Sequence, residues 1–195
     1  MPSRYEQIFD ITRELKPKAV VDIGIWDGKH AKTIIEIAQE FVEDPSEIVY
    51  YAFDLFETMT KKIFKKEISK WPPSVEEVRQ NLARTNATVF LFKGFTSTTL
   101  PMFIEFARND NIKVDLILID GGHSFETVSE DWENAHQFMG PKTIVIFDDY
   151  SLTPKKFTKG PTKVVNSIDK TKFNVEILEK VEEKIDSMLV KVSRK

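Results

Sequence analysis

The sequence predicts an α/β fold in which a mostly parallel sheet of seven strands is covered by helices on both faces. Short runs of apolar and β-branched residues alternate with amphipathic helical stretches along the chain. That alternation is typical of parallel strands that are joined by helical crossovers. The last two runs, residues 173–178 and 188–192, have no helix between them, so we expect them to close the sheet as an antiparallel hairpin.

The first quarter of the chain predicts a helix, a strand, a turn and a second helix. Ser3 has capping-box spacing with an acid three residues later, and Pro17 ends this helix, which we place at residues 1–17. The apolar run at 19–23 predicts the first strand, and the glycine-rich turn 24–28 follows it. The next helix has five apolar residues on its predicted buried face: Ala31, Ile34, Ile35, Ala38 and Phe41.

The middle of the chain contains two strands and one irregular segment. Residues 48–54 predict the second strand, because they are rich in Ile, Val, Tyr and Phe. Residues 55–73 contain two lysine pairs and a Trp-Pro-Pro motif, and we interpret them as an insertion or cap over one edge of the sheet. Ser74 predicts the N-cap of another helix, and residues 88–92 predict the third strand.

For the helix after the third strand we predict an N-cap at Thr98 or Thr99, because Pro101 then falls in the first turn. Residues 114–120 predict the fourth strand, and their unbroken apolar run indicates burial on both faces.

An amphipathic helix follows the fourth strand. We expect Met139 on its buried face and Gly140 at its end. Residues 143–147 predict the fifth strand, and a short helix is expected near residues 164–168.

Composition limits the class of protein. A chain of 195 residues suits one domain, which we expect to span residues 1–195. It has no cysteine, which excludes disulfides, zinc–thiolate sites and cysteine nucleophiles and fits a cytoplasmic location. No apolar run is long enough for a membrane span, so no membrane partner is expected. The net charge of −3 argues against a large nucleic-acid-binding surface. A homo-oligomer is a possible assembly of this chain.

The turn after the first strand carries an acidic-x-Gly-x-x-x-Gly pattern formed by Asp22, Gly24 and Gly28. A dinucleotide-binding turn has Gly-x-Gly-x-x-Gly and open backbone amides. Here a carboxylate precedes the first glycine, and a carboxylate suits a ligand with a cationic ammonium group. Asp54 ends the second strand, where an acid can accept hydrogen bonds from ribose hydroxyls. A tight turn without a ligand is the alternative for both positions.

Three carboxylates follow two strands that we expect to be neighbours. Asp120 ends the fourth strand, and Asp148 and Asp149 end the fifth. Packed carboxylates repel one another unless they are protonated or bind a cation, and Mg²⁺ prefers oxygen ligands of this kind. A turn or a helix cap is the alternative for the adjacent pair. His123 lies over the same rim, where it could take a proton from a substrate hydroxyl or cap the next helix. His30 could touch a ligand.

In combination, these strand ends resemble the class I S-adenosylmethionine-dependent methyltransferases, which have a Rossmann-like fold. Two groups are most similar: the macrocin O-methyltransferase-like enzymes and the metal-dependent catechol O-methyltransferase type. The resemblance to the first group rests on four segments in order, at residues 93–95, 99–101, 119–121 and 147–150.

The resemblance implies a cofactor site and a metal site. The first motif would hold the methionine end of S-adenosylmethionine, Asp54 would bind the ribose, and residues 94–96 would border the adenine. The implied cofactor-binding residues are Asp22, Gly24, Trp26, Gly28, His30, Asp54, Phe95, Thr96 and Asp120. The implied ligands of Mg²⁺ are Asp120, Asp148 and Asp149.

The implied activity is metal-assisted O-methylation of a small molecule or a sugar, with Asp120 and His123 as catalytic residues. Catechol-type enzymes have a lysine base at the position of His123, and some sugar methyltransferases have a histidine there. Two departures concern the substrate: His30 replaces a small hydroxyl residue, and Gly122 replaces an acid of several macrocin-like enzymes. The alternatives are an NAD-dependent oxidoreductase and a non-catalytic binding module with the same fold.

Overall fold

The computed structural model describes residues 3–68, 70–181 and 186–195. The strands are β1 (Ala19–Ile23), β2 (Val49–Asp54), β3 (Thr88–Lys93), β4 (Val114–Ile119), β5 (Met139–Tyr150), β6 (Phe173–Ile177) and β7 (Met188–Arg194). The helices are α1 (Arg4–Leu15), α2 (Lys29–Gln39), α3 (Lys61–Glu67), α4 (Val75–Ala83), α5 (Thr96–Asn109), α6 (Phe125–Ala135) and α7 (Lys159–Ser167). The predicted segments 1–17 and 55–73 include residues 1, 2 and 69, which lie outside the described residues. The single domain over 1–195 stays a prediction.

The seven strands form one sheet in the order β3-β2-β1-β4-β5-β7-β6. The first five are parallel, and β7 runs antiparallel to both β5 and β6. This topology confirms the mostly parallel sheet with a closing antiparallel hairpin. The strand order reverses between β1 and β4, and ligands of open parallel sheets bind at the carboxyl ends beside such a switch point.

Alternate residues of β1 pack into two cores, because successive side chains of a strand point to opposite faces. Val21 and Ile23 join a cluster that includes Phe103 of α5 and Trp132 of α6. Val20 joins the other cluster, to which α1 and α2 contribute. Helices therefore cover both faces, and α1 is anchored near the switch point by its own core residues. No helix among the described residues is both long and apolar enough to cross a bilayer.

The predicted start of α5 was wrong. The helix begins at Thr96, its N-cap is Phe95, and Pro101 lies inside it rather than in its first turn. Gly94 has a φ of 136°, a conformation that L side chains rarely adopt. That glycine turns the chain sharply after β3, and the helix therefore begins earlier than the threonine caps indicated.

Two boundaries of apolar faces were also predicted wrongly. Helix α2 ends before Phe41, which is 40% exposed. The ammonium group of Lys16 lies over the Phe41 ring. Helix α6 ends before Met139, which begins β5 instead, and β5 continues through Gly140 to Tyr150. The register between β4 and β5 shifts after Val114, and this irregularity accommodates the glycine within the strand.

The acidic pair of β5 lies inside the strand and not after its end. Asp149 has a φ of 60°, and the pairing of β5 with β7 shifts register between Phe147 and Tyr150. A bulge of this kind re-aims side chains next to functional sites. Here it places Asp148 and Asp149 at the edge of the crevice between β4 and β5.

Candidate active site

A cavity of about 590 Å³ opens at the carboxyl ends of β1, β2, β4 and β5, within the usual size range of small-molecule sites. Most of the residues that the sequence singled out line it: Asp22, Gly24, Trp26, His30, Asp54, Phe95, Thr96, Asp120, His123, Asp148 and Asp149. Gly28 is not among the lining residues. It caps α2 with a φ of 74° and faces the side chains of Val78 and Leu82, so its role is in the turn.

Asp22 brings a carboxyl group to the floor of the cavity. It belongs to the buried strand β1, and its side chain accepts a hydrogen bond of 2.8 Å from the Tyr50 hydroxyl. Burial raises the pKa of Asp22 to about 7, although the bond from Tyr50 acts in the opposite direction. The group therefore changes charge near neutral pH.

The turn after β1 is held by close backbone contact and by Asp54. Gly24 has a φ of 98°, and a Cβ there would lie 2.3 Å from the carbonyl oxygen of Asp120. Asp54 accepts hydrogen bonds from the backbone N–H groups of Trp26, at 2.9 Å, and Phe56, at 3.1 Å. Burial raises the pKa of Asp54, and these backbone bonds oppose the increase. Asp54 thus joins the turn to the end of β2 while its side chain faces the cavity.

One wall of the cavity comes from α1. The rings of Tyr5 and His30 stack with their centroids 3.6 Å apart. Burial lowers the pKa of His30, so its ring is neutral at neutral pH. Ile8 and Phe9 continue this wall. The predicted ligand contact of His30 would therefore be made by a neutral, stacked ring.

The three acids predicted at neighbouring strand ends do meet. One oxygen from each of Asp120, Asp148 and Asp149 lies within 4.8 Å of the others. Burial, followed by the charges of Asp148 and Asp149, raises the pKa of Asp120 well above its usual range. Burial and Asp149 also raise the pKa of Asp148. The cluster thus carries strong mutual repulsion.

Two protein cations balance two of these acids. Arg4, the first residue of α1, donates to both oxygens of Asp148, from Nε at 2.8 Å and from Nη2 at 3.0 Å. His123 Nε2 lies 2.7 Å from one oxygen of Asp149, and the Ser187 hydroxyl donates to the other at 2.9 Å. Although burial opposes the change, His123 lowers the pKa of Asp149.

Both ring nitrogens of His123 are engaged. Nδ1 lies 2.7 Å from the backbone carbonyl oxygen of Glu67, which only accepts, so Nδ1 carries a hydrogen. Nε2 faces the ionised Asp149. Burial acts to lower the pKa of His123, but the bond and the charge of Asp149 raise it. The ring is therefore a cationic donor in this arrangement, and accepting a substrate proton would require one of its two bonds to break.

The first part of the predicted cap, residues 55–68, reaches from the edge strand β3, where Glu57 pairs with Lys93, to the loop after β4. Glu67, at the end of α3, is 7% exposed and accepts hydrogen bonds from the backbone N–H groups of His123 and Ser124. These two residues follow β4, which is a central strand. The segment therefore lies above the carboxyl ends of the strands, where Met59 and Ile63 line the cavity.

Sequence reasoning missed three charged residues of this site. Nothing in the local pattern distinguishes Arg4 or Glu67, since their partners are distant in the chain. Asp131 had a signal, because it falls among the apolar positions of the buried face of α6. Neither of its oxygens has a well-aligned hydrogen-bond partner among the described residues. Burial raises the pKa of Asp131 to about 7, and the Thr96 side chain opposes this.

The acidic cluster has the donor chemistry for a divalent ion, but two of its three acids are already paired with protein cations. Both oxygens of Asp148 are bonded to Arg4, and those of Asp149 to His123 and Ser187. Each of these oxygens keeps a second lone pair, but a divalent ion bound there would lie within a few ångströms of the Arg4 guanidinium, which repels it. The site as folded does not fit the ion, so no catalytic step is assigned to it. The magnesium ion stays a sequence prediction.

Comparisons with known proteins agree with this architecture. A family model described as a methyltransferase domain matches residues 21–150, more than half of the chain. No curated protein sequence matches the chain.

Several solved structures have the same fold. The O-methyltransferase TomG of Streptomyces achromogenes, involved in tomaymycin synthesis and solved with S-adenosylmethionine, has a TM-score of 0.69 at 12% identity; the match covers 100% of this chain and 82% of TomG. An O-methyltransferase of Bacillus cereus solved with S-adenosylhomocysteine has a TM-score of 0.66 at 15% identity, with coverages of 100% and 82%. An rRNA methylase of Streptococcus thermophilus has a TM-score of 0.64 at 12% identity, with coverages of 100% and 98%.

At these identities the structural likeness concerns the fold, whereas the family match covers the segments that build the cavity. It extends from β1 to the end of β5 and so includes the glycine turn and the acids of the switch point. The chain therefore belongs to the class I S-adenosylmethionine-dependent methyltransferases.

Proposed function

We propose that this methyltransferase methylates a hydroxyl oxygen of a small molecule or a sugar. The observation that carries the proposal is a single cavity in which three carboxyl groups, Asp22, Asp54 and Asp120, stand at the ends of neighbouring strands. Two of them match the charged and hydroxylated parts of the cofactor. The third is a candidate proton acceptor for a substrate hydroxyl.

The cofactor is bound through charge and close backbone approach. Asp22 pairs with the ammonium group of the methionine end, since its carboxylate supplies the opposite charge on a buried floor. Asp54 accepts hydrogen bonds from the ribose hydroxyls. Gly24 has no side chain to block the cofactor beside β1, and Phe95 and Thr96 border the adenine.

Bound S-adenosylmethionine supplies a methyl group on a cationic sulfur. When the carbon–sulfur bond breaks, the sulfur keeps the electron pair and becomes a neutral thioether. The protein therefore has to position the acceptor oxygen and remove its proton. Asp120 takes that proton, because its carboxyl lines the cavity at the end of β4, and burial beside Asp148 and Asp149 makes it a stronger base than an ordinary carboxylate by raising its pKa. His123 holds the loop after β4 and neutralises Asp149. The predicted role of His123 as the base would need this arrangement to open.

Apolar side chains form two sides of the cavity. Ile8 and Phe9 of α1 close one side, and Met59 and Ile63 close the side above the strands. Beside apolar walls the charge of a carboxylate acts more strongly than it does in bulk water. The acceptor enters this space as a polyhydroxylated molecule, whose neighbouring hydroxyls suit the carboxylates of the rim.

Ligand binding tests the cofactor and the acceptor separately. S-adenosylhomocysteine should raise the melting temperature, since a ligand of the native state stabilises it by about 2.7 kcal/mol at 100 times its dissociation constant. NAD⁺ should cause no shift, and Asp54→Ala should lose most of the shift seen with S-adenosylhomocysteine. A shift with NAD⁺ alone would support the oxidoreductase alternative.

A panel of sugars and catechols, assayed for S-adenosylhomocysteine release, then tests the acceptor class. Turnover with ribosomal RNA, in the absence of turnover with this panel, would overturn the small-molecule proposal.

A further inference from the structure

Arg4 lies against the acidic cluster of Asp120, Asp148 and Asp149. Its guanidinium makes two parallel hydrogen bonds to Asp148, and Nη2 lies 3.8 Å from an oxygen of Asp149. The Arg4 side chain is 13% exposed and that of Asp148 is 3% exposed. Bidentate pairs of this kind are among the strongest hydrogen-bonded ion pairs in proteins.

The fold holds Arg4 in this place. Ser3 caps α1 by accepting a hydrogen bond from the Tyr5 N–H. Tyr5 stacks on His30, and Ile8 and Phe9 pack into the core beneath α2. The base of the arginine side chain is therefore anchored on a rigid helix, and its head reaches a strand 144 residues away in the chain.

Two of the three acids of the cluster already have a cationic partner. Asp148 is paired with Arg4 and Asp149 with His123, and the charge of Arg4 also acts on Asp120. A divalent ion would bring two further positive charges within a few ångströms of the guanidinium. Arginine cannot lose its proton in a protein, so the repulsion could be relieved only by moving Arg4 out of a buried site.

We propose that Arg4 is the resident cation of this site and that it excludes a divalent ion, so that methyl transfer proceeds without one. The inference deepens the proposed function and rests on it for the statement about turnover. The statement about metal exclusion depends only on the contacts of Arg4. Arg4 is a positioning residue here: it holds Asp148 and sets the field in which Asp120 takes the proton.

Manganese binding, followed by electron paramagnetic resonance of the free ion, tests the exclusion without an acceptor substrate. The wild-type protein should leave Mn²⁺ free at about millimolar concentration. Arg4→Gln should bind Mn²⁺ at least about tenfold more tightly, because it removes a unit charge a few ångströms from the vacated oxygens. Adding Asp148→Asn to Arg4→Gln should abolish the gain.

Two matched variants keep the test decisive. Arg13→Gln removes an exposed arginine of the same helix, which pairs with Asp10 one turn away, and it should behave like the wild type. Arg4→Lys keeps the charge and should also leave Mn²⁺ free, even if the bidentate geometry is lost. Circular dichroism melts identify any variant that fails to fold.

Turnover is then measured after exhaustive chelation. The wild-type rate should be unchanged, and Arg4→Gln should be slow and recover in part with Mg²⁺. Tight Mn²⁺ binding by the wild-type protein, or a wild-type rate that is lost on chelation, would overturn the proposal. So would a folded Arg4→Gln variant that gains no Mn²⁺ affinity. S-adenosylhomocysteine affinity, measured on the same samples, reports failure of the proposed function separately.

Discussion

The affinity for S-adenosylhomocysteine should depend on pH through Asp22. This carboxyl is buried in β1, and burial raises its pKa to about 7 in the ligand-free protein. Below that value the group is neutral and cannot pair with the ammonium group of the ligand. Above it, the carboxylate is charged and ready to bind. Acidification should therefore weaken binding, even though the amino group of the ligand stays protonated.

The size of the effect follows from a single titrating group. The apparent dissociation constant rises by the factor 1 + 10^(pKa − pH) if only the ionised form binds. With a pKa of about 7, the constant should increase about 25-fold between about pH 7.5 and about pH 5.5, which corresponds to about 2 kcal/mol. Stability without ligand has the opposite sign, because an acid whose folded pKa is raised loses stability as pH rises toward that pKa.

Isothermal titration calorimetry across this range measures the dependence. Asp22→Asn should bind weakly, with little pH dependence from this position. Tyr50→Phe removes the hydrogen bond that lowers the pKa of Asp22, so the midpoint should move to higher pH. The difference between wild type and Asp22→Asn isolates Asp22 from other titrating groups, such as Asp54 and His30.

A wild-type affinity that stays constant over the range would refute this reasoning, and so would an Asp22→Asn variant that retains both affinity and pH dependence. Either result would place the ammonium group elsewhere in the cavity. Asp22 would then be a buried acid with a structural bond to Tyr50.

Three further predictions concern single residues. Asp120→Asn should reduce turnover by about two to four orders of magnitude, with little change in S-adenosylhomocysteine affinity, because Asp120 is the base. A near-normal rate in Asp120→Asn, combined with a loss of that size in His123→Ala, would instead assign the role of base to His123. Gly24→Ala should lower stability by at least about 1–3 kcal/mol in urea titrations, because its Cβ would overlap the carbonyl of Asp120. Gly140→Ala, whose nearest contact would be 3.6 Å, is the control and should differ little from wild type. Asp131→Asn should raise the free energy of unfolding by up to about 4 kcal/mol near pH 8 and by much less near pH 4, since the buried acid has a pKa of about 7; an equal change at both pH values would contradict this.

Much of the fold could be predicted because its signals are local. Apolar runs, glycines and caps mark strands and turns within a few residues of one another. The parallel sheet, the closing hairpin and the capped helix α4 follow from such patterns. The errors at α5 and β5 arose where a glycine conformation or a register shift overrode the local signal. The positive φ of Gly94 lets α5 begin before the predicted threonine caps, and the irregular pairing after Val114 lets β5 begin before its predicted start.

The acids of the site could also be read from their positions at the ends of strands. Parallel strands bring their carboxyl ends to one rim, so Asp22, Asp54 and Asp120 were expected near a common ligand. The sequence could not show what balances such charges. A predicted metal ion was the simplest partner for three acids whose neighbours were unknown.

The sequence by itself determined the order of the elements and which acids stand at the switch point, because both depend on patterns of neighbouring residues. Only the tertiary structure decided the partners of those acids. Arg4 reaches Asp148 across 144 residues, and Glu67 holds the loop of His123 across 56. Contacts over such separations depend on how α1 and α3 pack above the sheet. No local periodicity encodes that packing, and it determines whether a carboxylate at the rim faces a metal ion, an arginine or a substrate.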